Sequence, residues 1–267
     1  RVNDTAAALA DLGKFSRTLL SCPVIGITGS VGKTSAKDLA RSVISADRVV
    51  SASARSFNNA IGVPLTLANV ADDAEAVVVE MGARGPGHIE KLCELAAPTI
   101  GVVLCVAGAH LETFGSIEGV AKAKGELVEA LPATGTAILN RDDPNVAAMA
   151  KRTSASVLWF GTGGDISATN VVVGDDLRPT FDLNTPDDSK RVTLGVAGAH
   201  HVTNALAAAA IGIAIGVPLD RICVGLEAGA ISPWRMELRT NVRGTKVLND
   251  AYNANPTSME AALRSLA

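Results

Sequence analysis

Six short, almost uninterrupted apolar segments recur along the first 160 residues of the chain. They are VIGIT (24–28), RVVSA (48–52), AVVVEM (76–81), IGVVLCV (100–106), TAILN (136–140) and SVLWF (156–160). Between them lie stretches with apolar residues at helical spacing, near 33–46, 59–69, 87–96, 116–131 and 143–151. A strand that is apolar on both sides of its pleat must be covered on both faces, which parallel sheets achieve with crossover helices. The pattern therefore predicts an α/β domain with a mostly parallel central sheet flanked by helices.

The remaining sequence has a different texture. Residues 4–20 read as a helix capped by Asp4 or Thr5. From about 165 to 196 the sequence alternates, is polar and carries Pro and Asp, which predicts a small appended antiparallel sheet. Helices are expected again at 200–217 and 219–229, followed by a hairpin of MELRTN and TKVLND around Gly244. The chain begins at Arg1 and stops inside a helical pattern, so it is expected to be a piece of a longer protein.

Composition removes several function classes. A net charge of −3 and 3% aromatic residues offer neither a basic footprint nor stacking platforms, so no nucleic acid partner is expected. Cys22, Cys93, Cys105 and Cys223 are scattered without a C-x-x-C pair, which argues against a zinc or disulfide framework and for a reducing, cytoplasmic setting. The longest apolar run, ALAAAAIGIAIGV (205–217), stops at Pro218 and is too short for a membrane span, so no membrane insertion is expected.

Chemistry concentrates in GITGSVGKTSAKDLA (26–40). The common phosphate-loop pattern G-x-x-x-x-G-K-[ST] would put glycine at 27, where the chain has Ile27; the available glycines are Gly26 and Gly29. A strand, a glycine loop and a helix in succession still aim backbone N–H groups and a helix N-terminus at an anion. Lys33 would reach the β- and γ-phosphates, and the Thr34 hydroxyl would face magnesium. The competing reading is a tight turn that needs Gly29 and Gly32 for backbone geometry alone. Alone the segment supports only phosphate binding; with the strand and helix alternation, the expected fold is the P-loop mononucleotide-binding type.

Two further strand ends carry polar groups. Glu80 ends the third apolar segment, where open α/β sheets bind ligands and where a carboxylate could share a metal with Thr34; the alternative is a structural Glu paired with a Lys. Arg84 follows in a Gly-rich loop and could contact an anionic substrate, whereas His88 reads as a helix-start residue. His110 follows the fourth segment, and Lys122 and Lys124 lie on the next helix, on different faces. Spacing alone assigns none of these three a role.

Together, TGSVGKTS, FNNAIGVPLTL, VVEMGARGPGHI, AHLETFGSIEGVAKAKGEL, GAHHVTNALAA and NDAYNANPTSM resemble the Mur ligase superfamily, from about residue 23 to the end. Within it they are most similar to the members that add D-alanyl-D-alanine to UDP-N-acetylmuramoyl-tripeptide. The family's loop is T-G-x-x-G-K-[ST], which Thr28, Gly29, Ser30, Val31, Gly32, Lys33 and Thr34 fit, with Ser35 following. The resemblance implies ATP and two magnesium ions: Thr34 and Glu80 at the first, His110 and a carbamate on Lys124 at the second, with Lys122 the fallback. Carbamylation needs a neutral amine, hence a buried lysine.

It also implies that Asn204 contacts adenine and that Arg235 touches the nucleotide phosphates. Asp250, Tyr252 and Asn253 would belong to a segment opening a third domain over the nucleotide, and Asn58 and Asn59 to a loop near the muramoyl-peptide. His201 stands where the family commonly has Asn, and Trp234 where it usually has Gly, which predicts a different local backbone at 234. By the same resemblance, residues 1–22 lead from an N-terminal UDP-binding domain, 23–240 form the central ATP-binding domain, and 241–267 start a C-terminal domain. The expected activity is carboxylate activation as an acyl phosphate followed by capture by an amine, in a monomeric enzyme of peptidoglycan precursor synthesis. Without outer domains, weak ATP binding and little turnover are expected. The alternatives are another ligase of the superfamily, such as a folylpolyglutamate synthetase, or a non-catalytic nucleotide-binding module.

Overall fold

The computed structural model describes residues 1–108 and 111–266. The chain opens with α1 (Thr5–Thr18), whose first free N–H groups donate to the Asp4 carboxylate. Strands and helices then alternate: β1 (Val24–Thr28), α2 (Lys33–Ser45), β2 (Val50–Ala52), α3 (Gly62–Ala68), β3 (Ala76–Glu80), α4 (His88–Ala96) and β4 (Ile100–Val103). There follow α5 (Leu111–Phe114), α6 (Ile117–Glu129), β5 (Thr136–Asn140), α7 (Pro144–Ala147), a 3-10 turn (Ala148–Arg152) and β6 (Ser156–Phe160). These six strands form one sheet in the order β2-β3-β1-β4-β5-β6, and every neighbouring pair is parallel.

Because all strands run the same way, their C-terminal ends share one edge, with β1 in the interior between β3 and β4. Successive β1 residues serve opposite faces: Ile25 and Ile27 pack with Leu39 and Val43 of α2, while Val24 packs with Val77, Val79 and Leu127 on the other side. This two-sided burial is why the strands read as continuous apolar runs.

The first face is completed by α8 (His201–Ala214) and α9 (Leu219–Glu227). Gly225 of α9 lies so close to α2 that a Cβ there would stand 2.4 Å from the Val43 Cα and 2.6 Å from the Ser42 carbonyl oxygen. Strands β7 (Ser167–Val173), β8 (Pro179–Asn184) and β9 (Ser189–Thr193) form the expected antiparallel sheet, with Phe181 and Leu183 turned into the same core. A hairpin of β10 (Glu237–Thr240) and β11 (Lys246–Asn249) precedes α10 (Pro256–Leu266). Among the described residues no helix is long and apolar enough to cross a membrane.

Several boundaries differ by a few residues from the sequence reading, two of them notably. The fourth strand ends at Val103 rather than 106, because Cys105 and Ala107 turn their hydrogen bonds to Ser30. The helix expected over 143–151 tightens into a 3-10 turn after Ala147.

Seating of α2 against α9 depends on the missing side chain at 225. Gly225→Ala is expected to lower stability by about 1–3 kcal/mol, the usual cost of overpacking a close contact. Chemical denaturation would check it, and an unchanged midpoint would mean that the two helices separate freely.

Candidate active site

The site grows from one register. Ile27 of β1 pairs with Glu80 of β3, and Thr28 pairs with Val103 of β4, so the end of β1 emerges flanked by a carboxylate on one side and the 104–107 segment on the other. The loop after it is tied to that segment: the Ser30 N–H donates to the Cys105 carbonyl at 3.0 Å, and the Ser30 hydroxyl donates to the Ala107 carbonyl at 3.0 Å. Gly32 takes φ +82°, and a Cβ there would lie 2.5 Å from the Asn204 Oδ1. Glycine is required for both reasons. No side chain caps α2, so its first turn presents bare N–H groups and positive dipole to the loop.

Glu80 is buried at 1% exposure. Its Oε2 accepts from the Thr34 hydroxyl at 2.9 Å and its Oε1 accepts from the Asn58 amide at 2.8 Å. Among the described residues it forms no ion pair, so the structural Glu–Lys pairing does not occur. A buried carboxylate held by two neutral donors, beside a threonine hydroxyl, is a hard-oxygen set suited to magnesium, which keeps several waters and takes few protein ligands. No cluster of three or more His, Cys, Asp or Glu residues assembles among the described residues.

Positive groups surround this pair. Lys33 curls back, donating to the Gly29 carbonyl at 2.7 Å. Desolvation lowers its pKa, and the Arg235 charge pushes the same way against Glu80. Lys124, 4% exposed on α6, is pushed down to about 7, first by burial and then by the Lys33 ammonium. Lys122, two residues earlier on the same helix, is exposed. His110 lies outside the described residues.

From the far side Arg235 donates through Nη2 to the Thr34 hydroxyl at 3.1 Å, and its guanidinium lies 4.0 Å from the centre of the Tyr252 ring. The Tyr252 hydroxyl meets the Ser56 hydroxyl. Asp250 accepts from the Met236 N–H at 3.0 Å, so here it holds the backbone beside Arg235. Trp234 and Met236 both take left-handed φ, +65° and +50°. Trp234 thus adopts the backbone that glycine favours rather than escaping it, the carbonyl of Trp234 being tied to the Tyr252 N–H at 3.1 Å.

Asn204 donates to the His201 Nδ1 at 3.1 Å, which leaves the His201 Nε2 to carry the proton. Burial, then His200 and Arg235, push the His201 pKa well down. Buried side-chain atoms without a partner among the described residues are the Thr28 Oγ1, His200 Nδ1, His201 Nε2 and Arg235 Nε. Each such atom costs about 1–3 kcal/mol. Thr28 ends β1, His201 contacts Asn204 beside Gly32, and Arg235 reaches Thr34, so three of the four border the phosphate loop, where a polar ligand would satisfy them.

Other expected residues fall outside this convergence. The Asn59 side chain accepts from the N–H groups of Ile61 and Gly62 at the start of α3. No hydrogen bond or ion pair engages the Arg84 side chain among the described residues. His88 begins α4, as expected. Asn253 lines an open hollow of about 370 Å³ with Met259 and Leu263, away from Glu80. Sequence reasoning missed Ser53, Ser56, Ser232, Lys37 and Asp38. The last two stand three and four residues after Thr34, the helical spacing that shares its face.

Fold and site define an α/β domain of the phosphate-loop mononucleotide type. The family model described as Mur ligase middle domain matches residues 27–212, and the chain belongs to that family. It is 44% identical to the UDP-N-acetylmuramoyl-tripeptide–D-alanyl-D-alanine ligase of Mycobacterium tuberculosis H37Rv, over 98% of this chain and 53% of the relative. MurF from Acinetobacter baumannii superposes with a TM-score of 0.94 at 34% identity, covering 99% of this chain and 58% of the other. The MurF ligase of Thermotoga maritima, solved in complex with ADP, gives 0.90 at 28% identity over 99% of this chain and 61% of that one. The chain thus spans about half the length of the curated relatives it matches.

Lys124 yields a pH signature. Its pKa is 10.5 ordinarily and about 7 when folded, so between those values the unfolded chain binds more protons and stability rises with pH. Urea midpoints from pH 7 to 10 should climb, and Lys124→Met should flatten the climb. Identical slopes for the two proteins would show that Lys124 titrates normally.

Proposed function

We propose that this chain is the ATP-binding part of a ligase that joins D-alanyl-D-alanine to UDP-N-acetylmuramoyl-tripeptide. Residues 1–22 would lead in from a UDP-binding domain, 23–240 form the ATP-binding domain, and 241–267 begin a third, amine-binding domain. The enzyme would act as a cytoplasmic monomer in peptidoglycan precursor synthesis, and so in cell-wall growth, shape and division. The observation that carries the reading is the buried Thr34–Glu80 pair at the mouth of a phosphate loop, in a chain 44% identical to such ligases.

The chemistry follows from the groups present. The terminal carboxylate of the tripeptide attacks the γ-phosphorus of ATP, ADP leaves, and an acyl phosphate forms. The amine of D-alanyl-D-alanine then attacks the acyl carbon, phosphate leaves, and the amine proton is lost. Lys33 would exchange the Gly29 carbonyl for phosphate oxygens, and the N–H groups at the start of α2, with Thr28, Gly29, Ser30, Val31, Gly32 and Ser35 shaping the loop, would cradle them. Asn204 would meet the adenine, with His201 fixing its amide. Arg235, backed by Tyr252 and Asp250, would face the phosphates; Asn58 and Asn59, with Arg84 and Asn253 at the periphery, would serve the peptide substrate.

Thr34 and Glu80 fit a magnesium ion, which when bound would neutralise charge on the phosphate oxygens. Buried Lys124, half deprotonated near neutrality, fits condensation with carbon dioxide to a carbamate, a hard oxygen donor that with His110 would serve a second magnesium.

Phosphate release by the full-length gene product tests this reading. It should require UDP-N-acetylmuramoyl-tripeptide together with D-alanyl-D-alanine, and Glu80→Gln should reduce it by on the order of 10²-fold or more. Preference for a different acceptor would move the protein elsewhere in the family, and no turnover with any acceptor would make it a binding module.

A further inference from the structure

The second turn of α2 carries a buried ion pair that the reaction does not use. Lys37 is 2% exposed and Asp38 3% exposed, and the Lys37 Nζ stands 2.9 Å from the Asp38 Oδ1. Lys37 also donates to the carbonyls of Ser53 at 2.8 Å and Arg55 at 2.7 Å. All three ammonium protons are thereby committed. The other oxygen of Asp38 accepts from the Ser232 N–H at 2.8 Å and the Ser232 hydroxyl at 2.7 Å.

Each end of this network holds a different wall of the site. Residues 53–58 carry Ser53, whose hydroxyl accepts from the Glu80 N–H, and Asn58, which donates to the Glu80 carboxylate. Arg55 in that loop takes φ +47°, a conformation L side chains disfavour, and its carbonyl is one that Lys37 captures. Residues 232–236 carry Arg235 between the two left-handed residues Trp234 and Met236. Ser232 is where that strained segment is fastened to α2. Meanwhile Thr34, one turn earlier on the same helix face, receives Glu80 from one wall and Arg235 from the other.

A buried ion pair adds little net stability over an apolar pair of the same shape, so its place here calls for a geometric reason. We propose that Lys37 and Asp38 are positioning residues: Lys37 sets the Asn58 loop, and Asp38 through Ser232 sets the Arg235 segment, both against Thr34. The kinetic part rests on the ligase reading above; the positional part does not.

Two readouts on the full-length gene product separate these parts. In hydrogen exchange, Ser232→Ala should speed exchange at 232–236 only, Lys37→Met at 53–58 only, and Asp38→Ala at both. In phosphate release, Ser232→Ala should raise KM for ATP about 3–10-fold, the range of one lost hydrogen bond, with KM for the tripeptide unchanged. Lys37→Met should raise KM for the tripeptide instead. Adding Ser232→Ala to Asp38→Ala should produce no further loss. Uniformly faster exchange across the domain, or multiplicative losses in the double variant, would overturn the proposal. If Lys37→Met or Asp38→Ala fails to fold, Ser232→Ala decides alone: unchanged exchange at 232–236 rejects it. A parent protein that releases no phosphate would remove the ligase reading while leaving the exchange result to decide the clamp.

Discussion

The pairing of Ile27 with Glu80 in adjacent parallel strands is the constraint on which the site depends. It fixes a carboxylate beside the point where β1 leaves the sheet, so the loop and the first turn of α2 are built around a negative charge already in place. Shifting β3 by one residue would turn its side chains to the opposite face and remove Glu80 from Thr34. The register is held because β3 is buried on both faces, with Val77 and Val79 in one core and Val78 in the other. Core packing and site geometry are therefore the same requirement.

Around that carboxylate the structure gathers cations that burial disfavours. The Lys33 ammonium adds to the depression of Lys124, and Arg235 adds to that of Lys33. In water these charges would be screened. Here they are worth more, and a polyanion entering between them relieves their repulsion. The unpartnered atoms of Thr28, His201 and Arg235 belong to the same surroundings. An arrangement unfavourable by itself is held by the apolar contacts of α2 with α8 and α9, where Gly225 allows the helices to touch.

Most of the fold was legible in the sequence because parallel strands buried on both faces leave an unmistakable apolar run, and all but the fourth began and ended close to where the pattern placed them. The exception is instructive: 104–106 is as apolar as a strand, yet its backbone bonds to the loop at Ser30. Periodicity reports burial, not hydrogen-bond partners. In the site, Lys33, Thr34 and Glu80 were legible because glycine loops and strand ends have fixed positions. Asn59 also accepts from the N–H groups of Ile61 and Gly62 at the start of α3, a local bond that its motif does not announce. Lys37 and Asp38 were missed because adjacent charges on a helix read as a solvated face. Only the contact with loops sixteen and almost two hundred residues away buries them.

Those long-range bonds also explain why the segment near 250 belongs to the site as much as to the C-terminal helix after it. Tyr252 lies against the Arg235 guanidinium and meets Ser56, while Asp250 holds the Met236 N–H. Arg235 is therefore fixed from both directions along the chain, by Ser232 before it and by Asp250 and Tyr252 after it. Moving residues 250–252 would have to break the cation–π contact and free the left-handed backbone at 234–236, releasing Arg235 from Thr34. The position of that guanidinium is set less by its neighbours in sequence than by whether the two ends of this clasp are engaged together.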